Sequence, residues 1–442
     1  MKRFISTQFA QWLMAASVAM ALASPARGQD FTLQRAIQLA LAHSTATGAS
    51  TADQMHAYGA YLEARDSFIP QVTVGSTVGY AYGFPLSLEG SAPTIFNVTS
   101  QSLVLNLAQR EFVRAAKAEW RATAAQNRDQ RSQVMLDTAL SYSELDKWEH
   151  ELQVLRHQRD LTHGIEYATL QRVKEGIDSQ VDETKARLTG AEVRLRIAQA
   201  EGAADLLRTH LSQLTGVPVP SITTISTSIP VLPTPDPPAD GGAATSAAVQ
   251  SSDVVAAAEE RARAQLLKAK GEHRSLLPSI DFAGQYGLIS TKFTDFAQFF
   301  QPNTFQNQNV TFGLIIRFPF LNFSQKAAAQ AADADAIRAR KDAQAAKDQV
   351  SMETLRLQRA VEQAAAARDV ADLQNQLAQS GLESAQTRMQ AATATLSELQ
   401  NAQFQADLRS TQLMDAEFEL ARAQLQLLRA TGDLEKWAFH HP

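Results

Sequence analysis

Phe68-Ile69-Pro70-Gln71-Val72-Thr73-Val74 returns as Leu276-Leu277-Pro278-Ser279-Ile280-Asp281-Phe282, 208 residues later in a chain of 442. In both places a stretch of helical period runs up to a proline, and residues of alternating character begin directly after it. Proline cannot continue a helix, and it biases the residue before it toward extended backbone, so the two prolines mark equivalent helix-to-strand junctions. A second correspondence, Leu214-Thr215-Gly216 with Ala430-Thr431-Gly432, lies at a shift of 216. A period this long decides the fold before any single element does. The chain reads as a first repeat, residues 29–216, and a second, residues 248–432, followed by a tail at 433–442. Between the repeats, residues 217–247 carry Pro218, Pro220, Pro230, Pro233, Pro235, Pro237, Pro238, Gly241 and Gly242, a composition that reads as a linker without regular helix.

Each copy has the same expected order: a helix of about 30 residues, two strands, then a long helical hairpin. The first helix is expected over Thr32–Ser67 and its counterpart over Ser246–Ser275. Strands follow at about 71–84 and 95–107 in the first copy, and at about 279–291 and 307–320 in the second. Val72, Val74, Val78, Tyr80 and Tyr82 share one face of the first strand, opposed by Thr73, Gly75, Thr77, Gly79 and Ala81. Ile280, Phe282, Tyr286 and Leu288 oppose Asp281, Ala283, Gln285 and Gly287, while Val310, Phe312, Leu314, Ile316 and Phe318 oppose Thr311, Gly313, Ile315 and Arg317. The strand from Asn97 to Leu107 alternates poorly. Segments of about ten residues, apolar on one side and small or polar on the other, fit the wall of a lipid-facing barrel with a wet interior. The same pattern also fits a half-buried soluble sheet. If the sheet meets lipid it must close, and four strands cannot close around anything, so several chains would have to pool their strands.

From Gln109 to Glu175 there is no proline and only Gly164 interrupts a polar, alanine-rich pattern, which predicts a helix about 100 Å long. After a turn near Gly176 the chain is expected to descend from Asp178 to Leu214. Val181, Leu188 and Leu195 step by seven there, with Thr184, Ala191 and Ala198 as companions. In the second copy the turn falls near Ala392. Leu399, Ala406, Leu413, Leu420 and Leu427 then step by seven, with Ala402, Arg409, Ala416, Ala423 and Ala430 beside them. Both runs read as coiled-coil seams. Two shorter helices stacked end to end would match one long helix in height, and a ring of such walls would make a tube.

Composition narrows the setting. Lys2 and Arg3 precede an apolar run from Trp12 to Ala23, with Ala26 and Gly28 at cleavage-site spacing, so residues 1–28 read as an export signal. No other stretch is apolar enough for a spanning helix. The absence of cysteine excludes disulfides, thiolate metal sites and cysteine nucleophiles. The net charge of −5, from which the leader removes three cations and no acid, argues against nucleic acid as a partner. No HExxH arrangement or phosphate loop occurs, and His150, His157 and His163 lie along the long helix as surface or seam residues. The expectation is no enzyme, no cofactor and no metal.

Several segments together resemble the TolC family of outer-membrane efflux proteins. They are Phe31-Thr32-Leu33 with Ala36-Ile37 and Leu39-Ala40-Leu41-Ala42; Phe68-Ile69-Pro70-Gln71-Val72; Arg317-Phe318-Pro319-Phe320-Leu321-Asn322 running into Ala327–Ala332; and Arg388 through Thr395-Leu396-Ser397-Glu398-Leu399 to Leu428-Arg429-Ala430-Thr431-Gly432. The resemblance implies an α+β membrane protein and a homotrimer. Each chain would give four strands to a 12-stranded outer-membrane β-barrel that continues into a long α-helical, coiled-coil barrel across the periplasm. It implies outer-membrane lipid around the strands and a passive exit duct in tripartite efflux or type I secretion. A periplasmic adaptor and an inner-membrane pump of RND, ABC or MFS type would be its partners. A non-conducting periplasmic coiled-coil scaffold is the alternative.

The same resemblance places the periplasmic entrance at the hairpin turns. Asp182 and Glu398 match positions where the family often carries acids, and Arg172 and Arg388 are the nearby arginines that could hold a constriction. Gly176, Ile177, Ser179, Ala392 and Thr393 are the candidates for partner docking. Three-fold symmetry would turn Asp182 and Glu398 into rings of negative charge that favour cations. Solvated helix-surface charge is the plain alternative. Ala392 in place of a glycine, and Asn401 in place of a second acid, depart from the family pattern.

Overall fold

The computed structural model describes residues 31–77, 82, 94–233, 241–290, 296–299, 304, 306–391 and 393–439. The expected leader 1–28, the middle of the expected linker and the end of the first expected strand therefore lie outside the described residues.

The helices come in matched pairs. Helices α1 (Leu33–His43) and α5 (Gly241–Ser251) each have 11 residues, and α2 (Thr45–Asp66) and α6 (Asp253–Arg274) each have 22. The long helices α3 (Leu107–Lys174) and α7 (Phe323–Gln390) each have 68, and α4 (Gln180–Thr215) and α8 (Leu396–Thr431) each have 36. Between the short and long helices lie β1 (Gln71–Gly75) with β2 (Thr94–Leu105), and β3 (Ser279–Ile289) with β4 (Gln308–Arg317). A short helix, α9 (Leu434–Phe439), follows.

Local chemistry explains the boundaries. Asn106 and Asn322 cap the two long helices by accepting from the backbone N–H groups of Gln109 and Gln325. Alanine is the best helix former, and both long helices are rich in it. The descending helices α4 and α8 end on Gly216 (φ 73°) and Gly432 (φ 83°), where left-handed backbone stops the helix without a side-chain clash.

The structure departs from the expected elements in several places, and the expected helix Ser246–Ser275 is broken at Ser252, where ψ is 119°. The first expected helix, Thr32–Ser67, is broken at Ser44, where ψ of 129° leaves the helical region. Regular helix does occur inside the expected linker 217–247, because no proline follows Pro238 and α5 starts at Gly241. The expected tail 433–442 contains α9, whose Leu434, Trp437 and Ala438 are buried.

The helices form one wall. Helix α3 packs against α2 above and α4 below on one side, and against α6 above and α8 below on the other; α7 packs on the far side of α6 and α8. Alanines make the close contacts: Ala115, Ala118, Ala122 and Ala125 on α3 are buried, as are Ala257, Ala264 and Ala269 on α6. Adjacent residues of α3 clamp the joint between the stacked helices α6 and α8. Arg128 reaches Asp253 at the start of α6 (2.7 Å), and Asp129 reaches Arg429 near the end of α8 (2.7 Å).

Among the described residues the wall becomes thicker than one helix at mid-height. There α1, α9 and residues 217–233 pack onto α3, α4 and the end of α8, enclosing Leu33, Ile37, Tyr142, Leu145, Leu155, Leu211, Ile222, Leu425 and Leu434. The Tyr142 hydroxyl ties this collar together. It donates to the Phe31 carbonyl (2.7 Å), accepts from the Ile225 N–H (2.8 Å) and lies 3.2 Å from Ser228 Oγ. Thr224 Oγ1 bonds Asp146 (2.9 Å) and Glu149 (2.7 Å) on the same helix face.

The heptad residues of α4 do not form the seam within the hairpin. Helix α4 turns Gly190, Val193, Ala200, Ala204 and Leu211 inward, while Val181, Leu188 and Leu195 are each about 60% exposed. The corresponding positions of α8 are packed, with Ala406 and Ala423 buried and Leu399, Leu413, Leu420 and Leu427 half-buried.

Candidate functional site

The first hairpin tip is built by its turn. After Lys174 the chain reverses through Gly176 at φ 73°, with the Ile177 N–H donating to the Arg172 carbonyl (2.9 Å). Ser179 caps α4 in a capping box with Asp182: the Asp182 N–H donates to Ser179 Oγ (3.2 Å), while Asp182 Oδ2 accepts from the Ser179 N–H (3.2 Å) and hydroxyl (2.6 Å). Those bonds, the hydroxyl first, hold the Asp182 carboxyl below its ordinary range. Arg172 takes Asp178 instead, through a fork of 2.7 and 3.0 Å. That bond lowers the Asp178 pKa and raises that of Arg172. Within the chain, then, Asp182 is turned back into its own helix end, and Asp178, an acid not among the expected entrance residues, holds Arg172. Ile177 stands exposed at the apex.

The second tip repeats the plan at a shift of 216 with different partners. Thr395 caps α8 by accepting from the Glu398 N–H (3.2 Å), and the Thr393 N–H and hydroxyl both donate to the Arg388 carbonyl (2.8 and 3.0 Å). Where the first tip has Asp178 the second has Ala394, and Arg388 approaches Glu398 at 3.5 Å. Ala392 lies outside the described residues.

Far from the tips, the strands form one antiparallel sheet in the order β1-β2-β3-β4. Register sorts its faces. Val72, Val98, Tyr286 and Val310 share one face with Phe96, Phe282, Phe312, Leu314 and Ile316; Thr73, Thr99, Gln101, Gln285, Thr311, Asp281 and Arg317 share the other. On the apolar face Val74, Val310, Phe312 and Leu314 are each more than 60% exposed. On the polar face Thr73 and Thr99 bond each other, and Asp281 meets Arg317 at 3.2 Å. Both outer strands, β1 and β4, have an edge without a partner among the described residues. Directly after β4, Phe318, Phe320, Leu321 and Phe323 are all more than half exposed, with the rings of Phe318 and Phe320 stacked 5.9 Å apart.

A polar seam between α3 and α8 carries buried charge that no spacing or motif singles out. Lys147 bonds Asp415 (2.8 Å) and lies over the Trp148 ring at 3.8 Å. One turn on, Glu151 is buried with Oε2 lacking a hydrogen-bond partner among the described residues. Burial, and then the nearby Asp415, push the Glu151 pKa up; burial does the same to Asp407, against hydrogen bonds from Gln403 and Gln158. In one dimension these acids look like any solvated helix charge. Among the described residues no cluster of His, Cys, Asp and Glu could hold a metal ion, and no helix is long and apolar enough to cross a membrane.

No protein-family description and no curated protein matches the sequence. Solved structures do match along nearly the whole chain. The Campylobacter jejuni CmeC outer membrane channel is 14% identical with a TM-score of 0.74, covering 92% of this chain and 86% of its own. The Neisseria gonorrhoeae MtrE outer membrane channel in its open state is 17% identical with a TM-score of 0.72, covering 91% and 89%. The Vibrio cholerae outer membrane protein VceC is 17% identical with a TM-score of 0.71, covering 90% and 96%. The chain therefore has the fold of these outer-membrane channels.

Proposed function

We propose that this chain is a TolC-like outer-membrane channel subunit, three copies of which form a passive exit duct from the periplasm. The open sheet carries the reading. Its apolar face is exposed and both of its edges are unpaired among the described residues, an arrangement that neither water nor hydrocarbon tolerates in a lone chain. Pairing β1 of one copy with β4 of the next removes every edge, and three copies give 12 strands, each with its apolar face outward to lipid and its hydroxyls and amides inward to water.

The helical wall supports the same assembly. Its two borders are α2 with α4, and α7, so closure brings α4 of one copy against α7 of the next. Exposed apolar residues occur on both borders at matching height. Leu195 lies about 22 Å above the start of α4, and Leu377 and Leu373 lie about 20 and 26 Å above the end of α7. In this reading the tips face the inner membrane, where an adaptor and a pump of RND, ABC or MFS type would engage Gly176, Ile177, Ser179, Ala392 and Thr393. Asp182, Glu398, Arg172 and Arg388 would line the entrance. The duct performs no chemistry and needs no cofactor.

Reconstitution tests the reading. Protein extracted in detergent should have three times the mass of the mature chain by light scattering and should open ion-conducting pores in planar bilayers. A water-soluble monomer that carries no current would refute it.

A further inference from the structure

Helix α3 carries four exposed cations, Arg110, Arg114, Lys117 and Arg121, at spacings of four, three and four, which put them on one face within the first four turns below the sheet. Arg128 continues the face five turns from Arg110. Between Arg110 and Arg128 no carboxylate of α3 shares it: Glu111 and, just beyond, Asp129 are each rotated about 100° away, and Glu119 is on the opposite side. Arg114 pairs with Glu111 at 2.8 Å and Arg128 with Asp253; Arg110, Lys117 and Arg121 have no ion pair among the described residues.

The collar identifies which way this face points. Asp146 follows Arg110 by 36 residues, about ten full turns, so the cations share a face with Met135, Ala139, Tyr142 and Asp146, on which the collar packs. Three collars inside a tube would plug it, so the collar and the cations lie outside. A neighbouring copy cannot cover them, because α3 is flanked on both sides by helices of its own chain. The fold does not need them either: at the equivalent places α7 has Lys326, Gln330, Asp333 and Ile337.

Their height matches one partner. Leu107 opens α3 as Phe323 opens α7, and Phe323 belongs to the exposed aromatic stretch that ends the sheet. Arg110 is about 5 Å below that level and Lys117 about 15 Å below it. Side chains on a helix lean toward its N-terminus, here toward the membrane, and long cationic stems extend the reach further. The lipid headgroup layer is about 5–8 Å deep on each side of the hydrocarbon. We propose that Arg110, Arg114 and Lys117, with Arg121 below them, form an outward collection site for anionic phospholipid headgroups of the periplasmic leaflet. This rests on the channel reading above.

Spin-labelled lipids test it directly. The full-length channel is reconstituted in phosphatidylethanolamine vesicles, and the motionally restricted fraction of labelled phosphatidylglycerol is compared with that of labelled phosphatidylethanolamine. The wild type should favour phosphatidylglycerol, by roughly fivefold for each cation that reaches the headgroups, with the preference shrinking in high salt. R110Q/R114Q/K117Q/R121Q should bring the ratio close to one while pore currents stay unchanged, and R110K/R114K/R121K should keep it. A conducting wild type without headgroup preference overturns the site, as does a preference that survives the fourfold glutamine variant; salt-sensitive binding of an acidic peptide in its place would assign the face to a protein partner. A wild type that forms no pore defeats the channel reading, and the site with it.

Discussion

Arg172 and Asp178 are joined by a two-pronged ion pair, at 2.7 and 3.0 Å, across the turn between α3 and α4. The equivalent Arg388 has an alanine at the matching place and turns to Glu398 at 3.5 Å. The two tips of one chain are thus closed by different bonds, a charge-assisted fork in the first and a longer contact in the second.

Breaking the fork should loosen the first tip alone. In D178N, trypsin should cut faster after Arg172 and Lys174, with the thermal midpoint of the whole protein unmoved. Acid should do the same to the wild type. The Asp178 pKa is lowered by Arg172, so the bond is complete above the ordinary aspartate range and is lost as pH falls through the depressed value. Cleavage rates that are equal in D178N and wild type would refute the assignment.

D182A/E398A should change the conductance or cation block of the reconstituted channel, because three copies would set six carboxylates around the entrance. D182A has a second consequence, since it removes half of the capping box with Ser179, so D182N is the cleaner comparison for charge. Single-channel currents indistinguishable from wild type would leave both residues as plain surface charge.

Tyr142 is fully buried and its hydroxyl serves three partners in the collar. Y142F keeps the ring and leaves the Phe31 carbonyl and the Ile225 N–H without that partner, at a cost of about 1–3 kcal/mol for each group left buried and unpaired. Denaturant midpoints should fall, and residues 217–233 should become the first site of proteolysis.

L188S/L195S should dissociate the assembly without unfolding the chain, since both side chains are exposed within it. Light scattering should show monomers with helical circular dichroism retained. Intact trimers would place the copy–copy contact elsewhere.

Glu151 supplies a pH dependence of opposite sign to Asp178. Burial raises its pKa, so the ionised form costs stability above that value, and the cost is relieved as pH falls through it. E151Q should therefore raise the thermal midpoint at neutral and alkaline pH and leave it nearly unchanged in mild acid. A midpoint lowered by E151Q at neutral pH would show that the carboxylate is well paired after all.

Much of the fold is legible without coordinates, for local reasons. Alternation over Ile280–Leu288 and Val310–Ile316 announces strands because successive side chains point to opposite faces, and a proline-free, alanine-rich run announces a long helix because every residue in it tolerates the same backbone. The turns at Gly176 and near Ala392, and the caps at Ser179 and Thr395, follow from side chains that act within a few residues of themselves.

What only the tertiary structure decided are choices between surfaces of nearly equal character. Helix α4 carries a leucine heptad and a stripe of small residues; the small stripe wins the contact with α3, since Gly190, Ala200 and Ala204 let two backbones approach, and the leucines are left for another surface. Arg172 has Asp178 and Asp182 within reach in the sequence, and the path of the turn, with Asp182 already committed to its helix cap, settles which one it takes. The buried Glu151 and the docking of α9 likewise depend on what another helix brings alongside. Local period determines which elements exist, because backbone and side-chain geometry repeat within a few residues; partners are determined by packing, because that free energy belongs to two distant segments at once.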